Sequence, residues 1–421
     1  MYQYRAMTAS HENAAQDLCA FIDASPSPFH VVDTAAQRLL AAGFEEISKP
    51  QEAENSASVF LRRDGALLAA AGTGTRAVKI VGAHTDSPNL RLKPTPDQTA
   101  SGWRTLGIEV YGGTLNNTWL DRDLGCSGRL MIQEGNSLGE VLVLLDRPVA
   151  RIPQLAIHLD QGVNEKGLIL NRQQHLRPLL GLGDGPGLLD ALAQQAEVKP
   201  EHIVSFDLML HDLTPATLAG LDQEFISAPR LDNQLSCHAG LGALLAAQQN
   251  PGDNAMVLAL YDHEEVGSTT ATGASGPLLN AFLAARGSTE TLVAPETLVI
   301  SADGAHATHP NYPDRHDPDH QVFLNQGPVL KHNANQRYAT DAPGAAQVHQ
   351  AAEKAGVPLQ TFVSRSDLAC GSTIGPLTAA ATGLRTVDLG AAQLAMHSAR
   401  ELCGSQDPEM LKKLLVALLC H

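Results

Sequence analysis

The sequence predicts an α/β fold built on a mixed sheet and interrupted by a β-rich insertion. Three observations lead there. Five near-continuous apolar runs, at 77–84, 255–262, 297–303, 359–364 and 384–390, read as strands buried on both faces, which requires helices on both sides of the sheet. Stretches of helical length, such as 232–249 and 341–356, separate these runs and complete an alternating pattern. Residues 93–229 differ, with strand-like segments and little helical pattern. The expected organisation is a discontinuous α/β domain, residues 1–92 and 230–421, carrying an inserted β-rich domain at 93–229.

The elements follow in order. Within 28–43, TAAQRLLAAG has helical spacing and ends on Gly43, a residue type that readily terminates a helix. AVKIVGAH is the first buried strand and runs into His84. In the insertion, GRLMIQEGNSLGEVLVLL reads as two strands around a Gly-Asn-Ser turn, HIVSFDLML as a third strand and GLLDALAQQA as a helix. Beyond it, DNQLSCHAGLGALLAAQQ and DAPGAAQVHQAAEKAG open on Asp232 and Asp341, each placed to cap a helix N-terminus. AMVLALYD, TLVISAD, LQTFVS and LRTVDLG supply the remaining strands, and no internal repeat is evident.

Composition removes whole function classes. At about 150 residues per domain, 421 residues suggest two or three domains. Lys plus Arg number 29 against 45 Asp plus Glu, a net charge of −16, which argues against nucleic acid or anionic membrane as partner. No apolar run approaches the roughly 18–20 residues of a membrane span. The opening MYQYRAMTASHENAAQ lacks the basic start and apolar stretch of a signal peptide. The six cysteines are scattered without a CxxC pair, as suits a reducing compartment rather than a disulfide scaffold or thiolate zinc finger. The expected location is the cytoplasm.

The polar residues that follow the strands carry the chemistry. His84-Thr85-Asp86, His263-Glu264-Glu265, Asp303 with His306, and Met396-His397-Ser398 each come at or after a strand. Ligands of open α/β sheets bind beyond the carboxyl ends of strands, so these groups converge if the strands are parallel. One histidine and one carboxylate per ion, with a further carboxylate bridging, would give two cations a nitrogen and oxygen shell with positions open for water. Two ions about 3.5–4 Å apart lower the pKa of a shared water and clamp a tetrahedral oxyanion. A carboxylate that does not ligate can then take the water's proton, and adjacent Glu264 and Glu265 suit that division. Taken singly, each group has an ordinary reading as a strand end, a solvated face or, for Asp232, a helix cap.

Seven blocks, GAHTDSPNLRLKP, APRLDNQLSC, DHEEVGS, SADGAHATHPNY, GPVLKHNANQRYAT, DLACGSTIGP and AMHSARE, run in family order over nearly the whole chain. Together they resemble the M18 family of metalloaminopeptidases, the aspartyl aminopeptidases. The resemblance implies a mixed-sheet dizinc catalytic domain with an inserted dimerisation and lid domain. It implies that His84 and Asp303 ligate one Zn2+, that Glu265 and His397 ligate the other, and that Asp232 bridges them, with Mn2+ or Co2+ as alternative metals. Glu264 would be the general base acting on a metal-bound hydroxide, and Asp86 would orient the His84 imidazole. His306, Lys331 and Tyr338 would surround the substrate, and His158 would reach into a neighbouring subunit's active site. The implied reaction removes the first residue of a peptide with a free N-terminus, with a preference for Asp or Glu to which Lys331 would contribute. The implied assembly is a homo-oligomer, dimers forming a dodecamer.

Other motifs fail on context. Gly135-Asn136-Ser137-Leu138-Gly139 matches a nucleophile elbow but lies between two strands, where the elbow needs a strand feeding a helix. Gly72-Thr73-Gly74-Thr75-Arg76-Ala77 leads into a strand, not a helix. His263-Glu264-Glu265-Val266-Gly267 lacks the second histidine of a zincin, and the loop bearing His306, His309, His316 and His320 can pick up metal adventitiously. The competing functions are a dizinc deacylase or amidohydrolase and a non-catalytic assembly protein of the same fold. An intact Glu264 argues against the second.

Overall fold

The structure is a computed structural model that describes residues 9–54, 57–286 and 289–421. The start of the segment read for a signal peptide, residues 1–8, lies outside them. The chain divides into two units. The first runs up to Asp86 and takes in Ala216–Met396 and Glu401–His421, and the second is Ser87–Pro215 with His397–Arg400.

The first unit is organised by a nine-stranded mixed sheet. Four neighbouring strands, Ala255–Tyr261, Val78–His84, Leu298–Ala302 and Thr386–Gly390, are mutually parallel. Val329–His332 pairs antiparallel with Thr386–Gly390 and parallel with Gln360–Val363. Side chains alternate between two cores. Val81, Ala83, Leu258 and Ile300 face helices Ala9–Asp23, Pro28–Ala41, Leu231–Gln248, Ala342–Ala355 and Asp407–Cys420. Ile80, Val257 and Val299 face the core that holds Leu279, Phe282 and Ile374 of helices Leu278–Arg286 and Ile374–Thr382. Burial on both faces is the physical reason these strands are apolar at nearly every position, with Lys79, Ser301, Thr386 and Asp388 among the buried polar exceptions. Each large side chain so buried contributes about 1.5–3 kcal/mol.

On the far side of Ala255–Tyr261 lies a hairpin, Ser58–Arg63 with Ala66–Ala71. It turns at Asp64–Gly65, and Asp-Gly between apolar runs is itself a hairpin signal. A five-stranded sheet completes the unit, in the order Thr217–Ala219, Phe225–Ala228, Glu401–Gly404, Ala392–Leu394, Ala305–His306.

The second unit is a six-stranded antiparallel sheet with its own core, in which Leu90, Leu106, Trp119, Leu130 and Leu208 pack with Leu188 and Leu192 of helix Leu188–Gln195. Gly135-Asn136-Ser137 links strands Leu124–Glu134 and Ser137–Ala150 as a hairpin turn, with Gly135 at φ +60°, where a type II′ turn places glycine. The units divide at 86/87 and 215/216, earlier than the expected 92/93 and 229/230. The reason is pairing: Asn89–Ala100 is one strand of the second unit's sheet, whereas Phe225–Ala228 pairs with Glu401–Gly404 in the first.

Asp341 caps its helix as expected, its Oδ1 accepting from the Gly344 amide at 2.7 Å. Asp232 does not. Its helix is entered through Arg230 in the left-handed region, and Asp232 (φ −83°, ψ 103°) and Asn233 (φ −125°, ψ 28°) depart from helical geometry. Among the described residues no helix is long and apolar enough to cross a membrane, and none of the six cysteines is in a disulfide.

Candidate metal centre

Parallel pairing brings distant residues to one sheet edge. His84 is the last residue of its strand and lies in register with Tyr261. Beyond Tyr261 the chain turns through His263, at φ +65°, into the short turn Glu264–Val266. Asp303 follows the next strand over, Leu298–Ala302. Neighbouring strands lie about 4.8 Å apart, so groups at their ends fall within reach of one ion. Asp232 arrives from the first turn of its helix. Its amide donates to Glu401 Oε2 at 2.9 Å, and Asn233 Nδ2 donates to the Ala302 carbonyl at 2.8 Å. The extended backbone there frees the Asp232 carboxylate from capping and ties it to the strand that leads into Asp303.

The imidazole of His84 is oriented through Nδ1. Its Nδ1 lies 2.9 Å from the Asp86 main-chain carbonyl, which can only accept, so Nδ1 carries a proton and Nε2 is the nitrogen that a cation would take in place of a proton. Nε2 lies 3.3 Å from Asp232 Oδ1, 3.6 Å from Asp303 Oδ1 and 3.9 Å from Glu264 Oε2. Donor atoms of His84, Asp232 and Asp303 lie within 4.8 Å of one another, as do those of His84, Glu264 and Glu265. The Asp86 carboxylate, 3.4 Å from Nδ1, accepts from the Glu264 and Glu265 amides at 3.0 and 3.1 Å. Asp86 thus orients the imidazole and pins the turn that carries both glutamates. Cys237 Sγ adds a contact to the His84 carbonyl at 2.9 Å.

Crowding of buried carboxylates raises their proton affinity. Burial, and then the negative charges of Asp303, Asp232 and Asp86, push the Glu264 carboxyl up to about 8 despite the opposing His84. Burial and Asp232 hold Glu265 well above the usual range. Burial alone would lower His84, but Asp232, Asp303 and Asp86 raise it well above its ordinary value. Such a set fits divalent zinc by its chemistry: borderline nitrogen and hard oxygen donors, with surplus negative charge that a cation relieves.

This has a sign that can be checked. A carboxyl whose folded pKa exceeds its unfolded value of 4.5 contributes stability below that value, and the contribution is lost as pH rises through about 8. The metal-free protein is therefore expected to melt at progressively lower temperature from pH 5 to pH 8, and the zinc-loaded protein to show a flatter profile. Scanning calorimetry of both forms checks this, and parallel profiles would remove the electrostatic account.

The residues expected around the substrate are placed differently from one another. Lys331 is 1% exposed, its Nζ donating to the Asp303 and Gly304 carbonyls, each at 3.1 Å, 4.0 Å from Asp303 Oδ2 and 5.0 Å from the Tyr338 ring centroid. A solvated surface lysine is thus excluded. Tyr338 is buried, and burial together with its bond to Cys370 raises its phenol. His306 is exposed, its ring edge-on to Phe362 at 6.1 Å between centroids. Within the second unit, His158 is exposed in a turn rather than a strand. His397, at φ +67°, places Nδ1 3.2 Å from the Gly113 carbonyl, so Nε2 is again the nitrogen that a cation would take. Glu401 and Asn233, which position Asp232, went unread in the sequence, where nothing local distinguishes them. Asp388 also went unread, although an aspartate inside the apolar run LRTVDLG is a signal.

Comparison with known proteins gives the family. The family described as Aminopeptidase I zinc metalloprotease (M18) matches residues 21–418. A probable M18 family aminopeptidase 2 of Mycobacterium leprae is 50% identical over 410 residues, 94% of this chain and 95% of that protein. Among solved structures, Ape4 from its complex with Nbr1 superposes with a TM-score of 0.93 at 37% identity, over 100% of this chain and 87% of that one. A subunit of the S. cerevisiae mApe1 dodecamer superposes with a TM-score of 0.85 at 30% identity, over 98% and 97%. With a match to the family along almost its entire length, the chain belongs to the M18 aminopeptidases and is a zinc metalloaminopeptidase.

Proposed function

We propose that the chain hydrolyses the first peptide bond of substrates with a free N-terminus, using two zinc ions per subunit and preferring Asp or Glu. The observation that carries the proposal is Glu264: a carboxylate 3.9 Å from His84 Nε2, among the crowded His84, Asp232 and Asp303 donors, whose place is set by its own amide rather than by its side chain. By resemblance to the family, His84 and Asp303 would hold one ion, Glu265 and His397 the other, and Asp232 would be shared. When bound, the ions supply a polarised scissile carbonyl and a water of lowered pKa. Glu264 takes the water's proton on a carboxylate oxygen and delivers it to the leaving amine. The Asp86 carboxylate keeps Glu264 in place through its amide, so the base is held by its backbone and its side chain is left for proton transfer. Lys331, Tyr338 and His306 line the substrate side, and His158 serves the active site of a neighbouring subunit. The inserted domain dimerises the chain, dimers form a dodecamer, and the location is the cytoplasm. The mApe1 dodecamer supports that assembly, which light scattering would read as twelve times 44.5 kDa.

The test is initial rates of zinc-loaded and metal-free protein on Asp-, Glu- and Leu-p-nitroanilide and on their N-acetylated counterparts. Zinc-dependent release from the free-amine substrates alone is expected. Release of acetate from an acetylated amino acid would favour a deacylase instead. For selectivity, a charge-assisted hydrogen bond from Lys331 to the substrate carboxylate is worth about 1.5–3 kcal/mol, or on the order of 10–100-fold. Lys331→Met should lower the Asp-to-Leu ratio of kcat/KM by that factor. An unchanged ratio would place selectivity elsewhere.

A further inference from the structure

The nine-stranded sheet buries a carboxylate that the reaction does not use. Asp388 lies in the middle of Thr386–Gly390 and is 0% exposed. Its Oδ1 accepts from Ser301 Oγ at 2.6 Å and Thr373 Oγ1 at 2.5 Å, and its Oδ2 accepts from the Ala339 amide at 2.6 Å. The Asp388 amide donates to Thr340 Oγ1 at 2.9 Å. A methyl group added at Gly375 would come within 2.3 Å of Oδ2, so the glycine admits the carboxylate to the first turn of helix Ile374–Thr382, whose dipole favours an anion there.

Each partner leads toward the substrate side. Ala339 follows Tyr338 in sequence, Ser301 precedes Ala302–Asp303, and Thr373 closes the segment that bears Cys370. Above all, Asp388 is the antiparallel partner of Lys331. Directly opposed residues present their side chains on the same face with Cβ atoms about 4.5–5.5 Å apart. The Lys331 ammonium spends two donors on carbonyls, and its nearest carboxylate, that of Asp303, belongs to the metal set. A charge so thoroughly desolvated needs an opposing charge that a metal does not already claim.

We infer that Asp388 is a positioning residue for substrate selectivity: as the buried counter-charge opposite Lys331, it holds the lysine, the Ala339 amide and the Thr373 hydroxyl in the geometry that receives an acidic first side chain. The inference rests on the Lys331 assignment above. It touches neither the substrate nor the metal ligands directly, and therefore acts on KM for acidic substrates rather than on the chemical step.

The experiment compares wild type, Lys331→Met, Asp388→Asn and the double variant, all zinc-loaded, for kcat and KM on Asp- and Leu-p-nitroanilide and for zinc per chain. Asp388→Asn should lower the Asp-to-Leu ratio of kcat/KM about 10-fold through KM of the Asp substrate, with zinc retained and kcat on Leu changed less than about threefold. In the Lys331→Met background it should lower the ratio no further, because the two residues act as one unit. A ratio lowered by Lys331→Met but untouched by Asp388→Asn overturns the inference alone, as does an equal effect of Asp388→Asn in both backgrounds. A ratio untouched by Lys331→Met overturns the Lys331 assignment itself. Should Asp388→Asn fail to fold, Thr373→Val decides: a few-fold loss of the ratio, restored in Thr373→Ser, supports the inference, and an unchanged ratio overturns it.

Discussion

Glu264→Gln should abolish turnover, lowering kcat by on the order of 10²–10⁴-fold, while zinc stays bound. Glutamine keeps the size and a carbonyl oxygen but cannot carry a proton between water and amine. The turn should hold, because its anchors are main-chain: the Glu264 and Glu265 amides donate to Asp86 regardless of the side chain at 264. The substitution also removes one negative charge from a crowded buried set. The metal-free variant should therefore melt at a higher temperature than metal-free wild type at pH 8, with the difference shrinking toward pH 5, where Glu264 is protonated in the wild type. Initial rates, zinc content and calorimetry measure all three effects. Loss of zinc with loss of activity would make Glu264 a ligand and not a base.

Asp232→Ala should have the second large effect, loss of both ions. The proposed assignment gives Asp232 to both sites, so no other single substitution removes a donor from each. Loss of groups that merely support a ligand costs about 10–100-fold in metal affinity, and loss of a shared ligand should exceed that. Equilibrium dialysis at micromolar free zinc should find both sites depleted and activity gone. Retention of one ion would show that Asp232 serves a single site. The fold should survive, because Asn233 remains bonded to the Ala302 carbonyl and the helix from Gln234 onward stays packed.

Much of this centre could be read from the sequence. His84, the Glu264-Glu265 pair and Asp303 stand out because they come at or after near-continuous apolar runs, and such runs are strands of a covered sheet. Their parallel order then places them together. Asp232 was legible as a residue but not in conformation: an aspartate opening a helical stretch reads as a cap, and only the bond from its amide to Glu401, 169 residues away, shows why it is not one. Lys331 was legible as a charge, but not as a fully buried one bonded to the carbonyls of Asp303 and Gly304.

The sequence by itself determined the α/β class and the order of the polar groups that follow its strands, because hydropathy periodicity and backbone propensity act over a few residues and are written locally. Tertiary structure decided where the units divide, that Asp86 pins the Glu264–Glu265 turn, and that Lys331 faces Asp388. Those outcomes follow from strand order and register, which arise when whole faces of sheet and helix are buried together, and no local pattern encodes which distant partner a strand will take.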